Sequence, residues 1–156
     1  MPSRAEPRQS DRESMQQQLP YIDEHSQQIE APVDAVWAAL LKVLRQINGS
    51  GPLARILGCD PAQGTAGFAG RPDEAVPGFR VLEAEHGRRL VLRGRHRFSN
   101  YALIFVLDGH RLRAQTRAAY PGVLGCIYRA AVIGSGAHQL VMRRLLRRIV
   151  REVSYA

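Results

Sequence analysis

Two histidines are the residues of this sequence best suited to chemistry, because imidazole gains and loses a proton near neutral pH. His96 lies in a run where every second residue is apolar, and His138 lies among apolar residues that recur at helical spacing. There each ring is suited to a hydrogen bond with a carbonyl or phenol group, or to proton transfer. Alternatively, each is a hydrogen-bonded core histidine or lies in water at a cavity mouth. The sequence leaves this choice open, since it does not show whether the two rings meet.

His96 belongs to a predicted antiparallel sheet. From Gly78 onward apolar and polar residues alternate, and short polar turns separate the alternating runs, which is typical of consecutive hairpins. One face of the sheet is apolar, while the other carries arginine rows at Arg89 to Arg97 and Arg111 to Arg117. The predicted strands are Phe79 to Glu85, Arg89 to Phe98, Tyr101 to Asp108 and Arg111 to Tyr120.

His138 belongs to a predicted long C-terminal helix with one apolar stripe and arginines on the opposite side. Gly134-Ser135-Gly136 interrupts this helix, and glycine is a poor helix former, so we expect a kink or break there. The only large apolar surface available to the stripe is the sheet, so the helix is predicted to lie across it. The stripe consists of Leu124, Ile127, Tyr128, Ala131, Ser135, His138, Met142, Leu145, Leu146, Ile149 and Val153.

The first part of the chain is predicted to be a disordered tail. Residues 1–20 contain few large apolar side chains, too few to offset the entropy lost on ordering. Residues 21–156 are then expected to form one domain, long enough to bury a substantial core. Before the sheet, the residue patterns predict a strand at His25 to Glu30, a helix from Pro32 to Asn48-Gly49, a short helix at Pro52 to Leu57 and a weak strand near Gly64 to Ala69.

The net charge of +8 comes almost wholly from arginine, since Lys42 is the only lysine. A basic balance favours an anionic partner, but arginine without lysine is also typical of codon bias in a GC-rich genome. No aromatic residue is interleaved among the arginines on their face, which disfavours nucleic acid. Contact with an anionic membrane or RNA stays open as an alternative.

The sequence also bounds compartment and cofactors. No apolar run approaches the roughly 18 to 20 residues needed to span a bilayer, and none follows the N-terminus as in a signal peptide, so we expect a cytoplasmic protein. Cys59 and Cys126 are expected to be reduced and structural, because neither lies in a cluster with zinc spacing. We expect no metal and no cofactor.

The segment Ile29-Glu30-Ala31-Pro32-Val33-Asp34-Ala35-Val36-Trp37 resembles the start of the SRPBCC (START/Bet v 1-like) superfamily, in which this motif leads from the first strand into the first helix. Gly78-Phe79-Arg80-Val81-Leu82-Glu83 and Arg89-Leu90-Val91-Leu92 are similar to its middle strands. The resemblance implies an α+β helix-grip fold, with a curved antiparallel sheet wrapped around a long C-terminal helix. It also implies a ligand cavity between sheet and helix.

Three functions stay open, because this superfamily spans polyketide cyclases, aromatases, lipid carriers and hormone receptors. The first is binding or carriage of a small hydrophobic molecule, the second a cyclase or dehydrase reaction in the same cavity, and the third an interaction module for anionic surfaces. No catalytic pattern particular to one branch is present, so no catalytic residue is assigned. The candidate ligand-binding residues are His96, Phe98, Thr116, Tyr120, Ser135, His138 and Met142.

Overall fold

A computed structural model of the chain describes residues 19–47 and 52–155. Most of the expected tail, residues 1–18, and the expected helix end at Asn48-Gly49 lie outside the described residues. In chain order the elements are β1 (Tyr21–Gln28), α1 (Val33–Arg45), α2 (Pro52–Leu57), β2 (Ala75–Val76), β3 (Phe79–Glu85), β4 (Arg89–His96), β5 (Ser99–Asp108), β6 (Arg111–Ala119), α3 (Gly122–Arg129), a π-helical segment (Ala130–Gly134) and α4 (Ala137–Ser154).

The strands form one open, antiparallel, six-stranded sheet in the order β1-β6-β5-β4-β3-β2. The predicted meander from β3 to β6 is confirmed, with strand ends within two residues of those expected. The first strand joins beside the last, because β1 pairs with β6 along nearly its whole length. This long-range pairing leaves β1 and β2 as the two edges of the sheet.

The core lies between the apolar face of the sheet and the helices α1 and α4, as the helix-grip expectation requires. Pro32 precedes α1, whose apolar residues recur at helical spacing and face α4 and the sheet. The core residues include Val36, Leu40, Leu44, Leu90, Leu92, Phe105, Leu112, Leu146 and Ile149, each at most 2% exposed. No helix in the described ranges is both long and apolar enough to cross a bilayer.

Two expectations for the first half of the chain are corrected. The weak strand near Gly64 to Ala69 is wrong, because this segment is irregular and the short edge strand forms later, at Ala75–Val76. Gly67 has a φ of 69°, a left-handed conformation that interrupts a strand. The first strand begins at Tyr21 rather than His25, and Leu19 before it is already buried. The packed chain therefore includes the last residues assigned to the tail.

The C-terminal segment breaks where the glycines predict. The π-helical segment Ala130–Gly134 follows α3 directly, and Gly136 adopts a φ of 77° before α4 begins. The expectation of one continuous apolar stripe is wrong for the residues before the break, since Leu124 and Ile127 are 65% and 60% exposed. A change of helical register and a left-handed residue rotate α3 relative to α4, so spacing counted through the break loses its phase.

The outer face of the sheet carries the predicted arginine rows, and several of these side chains are partly buried. Val91 and Ile104 also point outward, yet they are 0% and 5% exposed, which the long apolar stems of neighbouring arginines explain. A register shift between Val81 and Glu83 turns the Glu83 carboxylate to this face, where it lies 3.5 Å from Arg89 Nε. Part of the basic face thus consists of arginines whose stems cover the sheet, and one of these, Arg89, is ion-paired with Glu83.

Candidate functional site

At one end of the inner sheet face, α3 and the start of α4 cover the strands. A cavity of about 240 Å³ lies between these helices and the sheet. The strands change character along this face. Towards α1 they carry Leu90, Leu92 and Leu112, whereas the same face towards the cavity carries Gly94 and Ala118. Small residues there leave space that the helices do not fill. The lining includes Phe79, His96, Ser99, Tyr101, Leu103, Thr116, Ala118, Tyr120, Tyr128, Val132, His138 and Met142.

Five of the seven candidate residues line this cavity: His96, Thr116, Tyr120, His138 and Met142.

The other two candidates lie elsewhere. Phe98 stacks on Tyr128, with ring centroids 5.6 Å apart, and supports the cavity wall from behind. Ser135 is exposed, and its hydroxyl donates a hydrogen bond to the carbonyl of Ala131, one turn earlier in the helix. That backbone carbonyl satisfies the hydroxyl at the helix break, so Ser135 does not face the cavity.

An aromatic cluster closes one end of the cavity and joins the sheet to α3. The His96 ring lies 4.8 Å from the Tyr128 ring and 5.5 Å from the Tyr101 ring, centroid to centroid. Tyr128 also approaches Tyr120, at 6.2 Å. His96 comes from β4, Tyr101 from β5 and Tyr128 from α3, so three elements meet at one imidazole. The hydrophobic pattern identified His96 as a candidate, but it did not predict that the Tyr101 and Tyr128 rings contact it.

The His96 ring is set up as a neutral hydrogen-bond donor. Burial lowers the pKa of His96 from its ordinary value, because a charged imidazole loses hydration there. Its Nδ1 accepts a hydrogen bond from the Phe98 N–H at 3.1 Å, which places the single ring proton on Nε2. Within the described residues Nε2 has no partner. One N–H donor of this ring therefore remains available to a bound molecule.

Tyr101 is held in place by a close approach of two glycines. Its hydroxyl donates to the Gly78 carbonyl at 2.8 Å. Gly94 lies directly across the β4–β5 pair from Tyr101, and a Cβ at Gly94 would lie 1.9 Å from the Gly78 oxygen and 2.7 Å from the Tyr101 ring. The absence of a side chain at Gly94 therefore creates the place in which the Tyr101 ring lies.

The three phenol groups around the cavity keep their protons at neutral pH. Burial raises the pKa of Tyr101, Tyr120 and Tyr128, with desolvation as the largest cause in each case. The hydroxyl of Tyr101 is already used by Gly78. The cavity wall is therefore uncharged at this end, and its polar groups act through hydrogen bonds rather than through charge.

At the other side of the cavity His138 is tied to strand β1. Its Nε2 lies 3.2 Å from Asp23 Oδ1 and 3.1 Å from Thr116 Oγ1. The second Asp23 oxygen lies 3.1 Å from His25 Nε2. Asp23 and Thr116 are neighbours because β1 pairs with β6 in that register. The sequence did not predict Asp23, since the predicted first strand began at His25, four residues after the observed start at Tyr21.

Two further cavities lie at the outer face of the sheet. One of about 360 Å³ includes Arg80, Arg93 and Arg95 with Asp60 and Asp73, and one of about 480 Å³ is lined mainly by charged groups. Charged walls stay hydrated and do not suit an apolar molecule. Among the described residues no group of three or more histidine, cysteine, aspartate or glutamate side chains is arranged to hold a metal ion. The inner cavity is thus the candidate binding site.

No protein-family model matches the sequence, and a search of curated proteins found no match. Solved structures do match. The protein Mll3558 from Rhizobium loti aligns with 13% identity over 86% of this chain and 95% of its own, with a TM-score of 0.52. CV1439 from Chromobacterium violaceum aligns with 16% identity over 84% and 95%, also at 0.52. Cgl2372 from Corynebacterium glutamicum, described as polyketide-cyclase-like, aligns with 14% identity over 86% and 88%, at 0.34. At such identities the first two matches show a shared fold.

Proposed function

We propose that this protein binds a small, largely apolar molecule in the cavity between the sheet and the α3–α4 segment. The observation that carries the proposal is the cavity itself, lined by aliphatic and aromatic side chains with a few polar groups at fixed positions. Such a lining is typical of small-molecule sites, in which apolar surface supplies affinity and a few hydrogen bonds fix orientation.

The cavity volume limits the size of the ligand. An apolar cavity of about 150 Å³ holds one benzene ring, and the cavity here measures about 240 Å³. We infer a molecule of one or two fused rings, or a short acyl chain. The free Nε2–H of His96 suits a carbonyl, ether or phenol oxygen on that molecule.

The experiment measures the affinities of 2-naphthol and of naphthalene for the protein by fluorescence titration. Ala118→Leu puts three more carbon atoms into the cavity, so both affinities should fall at least about tenfold, since a filled cavity no longer admits a ring. Ala119→Leu is the matched control, because Ala119 is the next residue of β6 and points to the other face. Its affinities should stay within about twofold of the parent.

The polar part of the proposal has a separate test. His96→Phe keeps a ring in the cluster but removes the donor, so 2-naphthol should bind about 5- to 10-fold more weakly while naphthalene is unaffected. Failure of the parent protein to bind either compound, or equal losses in Ala118→Leu and Ala119→Leu, would contradict the proposed site. Native mass spectrometry of freshly purified protein, with solvent extraction, identifies any molecule that it already holds.

A cyclase or dehydrase reaction is a second candidate, and the contact between His138 and Asp23 favours it. A carboxylate that holds a histidine beside a cavity is a common way to orient a general base. In an aldol cyclisation His138 would take a proton from the carbon next to a carbonyl, and that carbon would form a bond to a second carbonyl carbon, whose oxygen becomes an alkoxide and takes the proton from His138. Loss of this hydroxyl with a second hydrogen from the attacking carbon would release water and leave a carbon–carbon double bond.

This reaction is tested with a poly-β-keto thioester, by mass spectrometric detection of the cyclised product with loss of one water. His138→Gln should abolish the product, whereas His25→Gln, which also contacts Asp23 but does not line the cavity, should retain most of it. Tight binding of aromatic ligands without product formation by the parent protein leaves binding alone as the function.

A further inference from the structure

The segment that closes the cavity also exposes large apolar side chains to water. Tyr128, Val132, His138 and Met142 face the cavity from α3, the π-helical segment and α4. On the same elements, five large aliphatic residues are at least half exposed. These five, the apolar patch residues, are Val123 at 78%, Leu124 at 65%, Ile127 at 60%, Leu140 at 50% and Val141 at 60%.

The exposure follows from how α3 is attached. Gly125 is the one buried residue in α3, and a Cβ there would lie 2.7 Å from the backbone of Tyr120, so the helix contacts the sheet through its backbone. Apart from Tyr128, which lines the cavity, its larger side chains are left in water. Scattered exposed aliphatics are ordinary, but three within five residues of one short helix indicate a surface that a partner covers.

The positive charge of the α3–α4 segment indicates which kind of partner would cover these residues. Between Pro121 and Arg151 the sequence has six arginines and no aspartate or glutamate. Arg143 and Arg144 follow Leu140 and Val141 on α4 after the buried Met142, and both arginines are exposed. No arginine of this segment forms an ion pair within the described part of the chain. The segment thus combines unpaired positive charge with exposed apolar groups.

We propose that the α3–α4 segment docks on an anionic lipid surface. The aliphatic side chains of α3 and of the first turn of α4 would enter the boundary between headgroups and acyl chains, while the arginines contact lipid phosphates. An interfacial helix has this division between aliphatic and basic residues. Docking in this way places the cavity wall formed by Tyr128, Val132 and His138 against the bilayer.

Other occupants fit the surface less well. In a symmetric dimer the same patch meets itself, so the arginines of one copy would face those of the other without any acidic residue between them. Nucleic acid would be attracted by the arginines, but it is bound through its phosphates, base edges and stacked bases, which gain little from valine, leucine and isoleucine. A lipid surface complements both the charge and the apolar groups.

The test is co-sedimentation with sucrose-loaded vesicles at physiological salt. One set contains phosphatidylcholine alone and the other about 30% phosphatidylglycerol. The protein should sediment with the anionic vesicles, bind the neutral ones at least about tenfold more weakly, and dissociate as salt is raised. This readout does not require a ligand in the cavity, so it can fail while the proposed binding function holds, and the reverse.

Matched variants locate the contact. Leu124→Ser with Ile127→Ser should lower the partition coefficient at least about tenfold, whereas Ile56→Ser, which alters an equally exposed aliphatic residue on α2, should leave it unchanged. Arg143→Gln with Arg144→Gln removes two contacts, each worth about fivefold, so it should lower the partition coefficient about 25-fold. Arg45→Gln with Arg111→Gln removes the same charge from exposed positions on α1 and β6, outside the α3–α4 segment, and should lower it less than about threefold.

Several outcomes would overturn the proposal. If the protein does not sediment with anionic vesicles, docking is excluded. If the two arginine double variants lower the partition coefficient equally, binding is an effect of net charge alone. If light scattering shows a dimer that dissociates in the Leu124→Ser, Ile127→Ser variant, and the protein does not bind vesicles, the patch is an interface with a second copy of the chain. Retention of RNA but not of vesicles assigns it to nucleic acid. All variants alter exposed side chains, so an unchanged melting temperature confirms that they fold.

Discussion

The two halves of the C-terminal segment contain similar aliphatic side chains in opposite surroundings. In α4, Met142, Leu146 and Ile149 are 4%, 2% and 0% exposed, whereas Val123 and Leu124 of α3 are 78% and 65% exposed. The buried half meets large aliphatic residues of the sheet and α1, so its contacts are dense. The exposed half lies beside the cavity, where the sheet carries small residues. Hydrophobic composition alone therefore does not decide which part of an amphipathic segment becomes core.

The largest effect should separate these halves directly. Ile149→Ala leaves a hole at a site with no exposure, so the free energy of unfolding should fall by about 2 to 5 kcal/mol. Leu124→Ala, a comparable truncation in α3, should change it by less than about 0.5 kcal/mol. Urea denaturation followed by circular dichroism measures both. Similar losses would mean that α3 packs as tightly as α4.

The next effect concerns the close approach that forms the cavity end. Gly94→Ala places a Cβ 1.9 Å from the Gly78 carbonyl oxygen, so either β3 or the Tyr101 ring must move. We expect a loss of about 1 to 3 kcal/mol, as for other overpacked sites, together with altered ligand affinity. Gly134→Ala is the control, since a Cβ there meets nothing within 4 Å, and it should be neutral or stabilising. A stable Gly94→Ala protein with unchanged affinity would show that Tyr101 does not shape the cavity.

A smaller effect is expected where the cavity wall is joined to β1. His138→Leu leaves Asp23 with His25 alone and Thr116 without its imidazole partner, at a site that remains partly accessible to water. The free energy of unfolding should fall by about 1 kcal/mol. Gln139→Leu, at the neighbouring exposed position, serves as the control. If His138→Leu is as stable as the parent but binds polar ligands more weakly, the ring serves the ligand rather than the fold.

The smallest effect depends on pH. Because burial lowers the pKa of His96, the unfolded chain takes up its proton at a higher pH than the folded chain does. Stability from this group is complete above the ordinary pKa of about 6.5 and is lost as pH falls below it. His96→Phe should remove this loss, so the difference in unfolding free energy between the two proteins should change between pH 7.5 and 5.5. Parallel curves would show that His96 is hydrated when folded.

Much of the fold was predictable, because its sheet is built from consecutive hairpins. Alternation fixed β3 to β6 to within two residues, and Gly134-Ser135-Gly136 located the helix break. These are local signals that depend on neighbouring residues. They also identified five of the residues that line the cavity, since an inward-facing polar residue interrupts an apolar pattern.

The rest depended on contacts that local spacing does not encode. Asp23 reaches His138 only because the first strand pairs with the last, far along the chain. Tyr101 and Tyr128 meet His96 through the pairing of β4 with β5 and through the angle of α3. A π-helical turn and a left-handed glycine set that angle. The apolar stripe was counted through these residues, so it predicted the wrong face of α3 to be buried.

The open sheet also bears on how this protein behaves at high concentration. Each edge of an unclosed sheet offers unpaired N–H and C=O groups to which another chain can add as a new strand. Here β2 is only two residues long, too short to direct such pairing. The other edge, β1, has eight residues but carries Glu24, Ser26, Gln27 and Gln28 exposed to water. A charged and strongly hydrated edge resists edge-to-edge growth, so the protein should remain free of ordered aggregates although its sheet does not close.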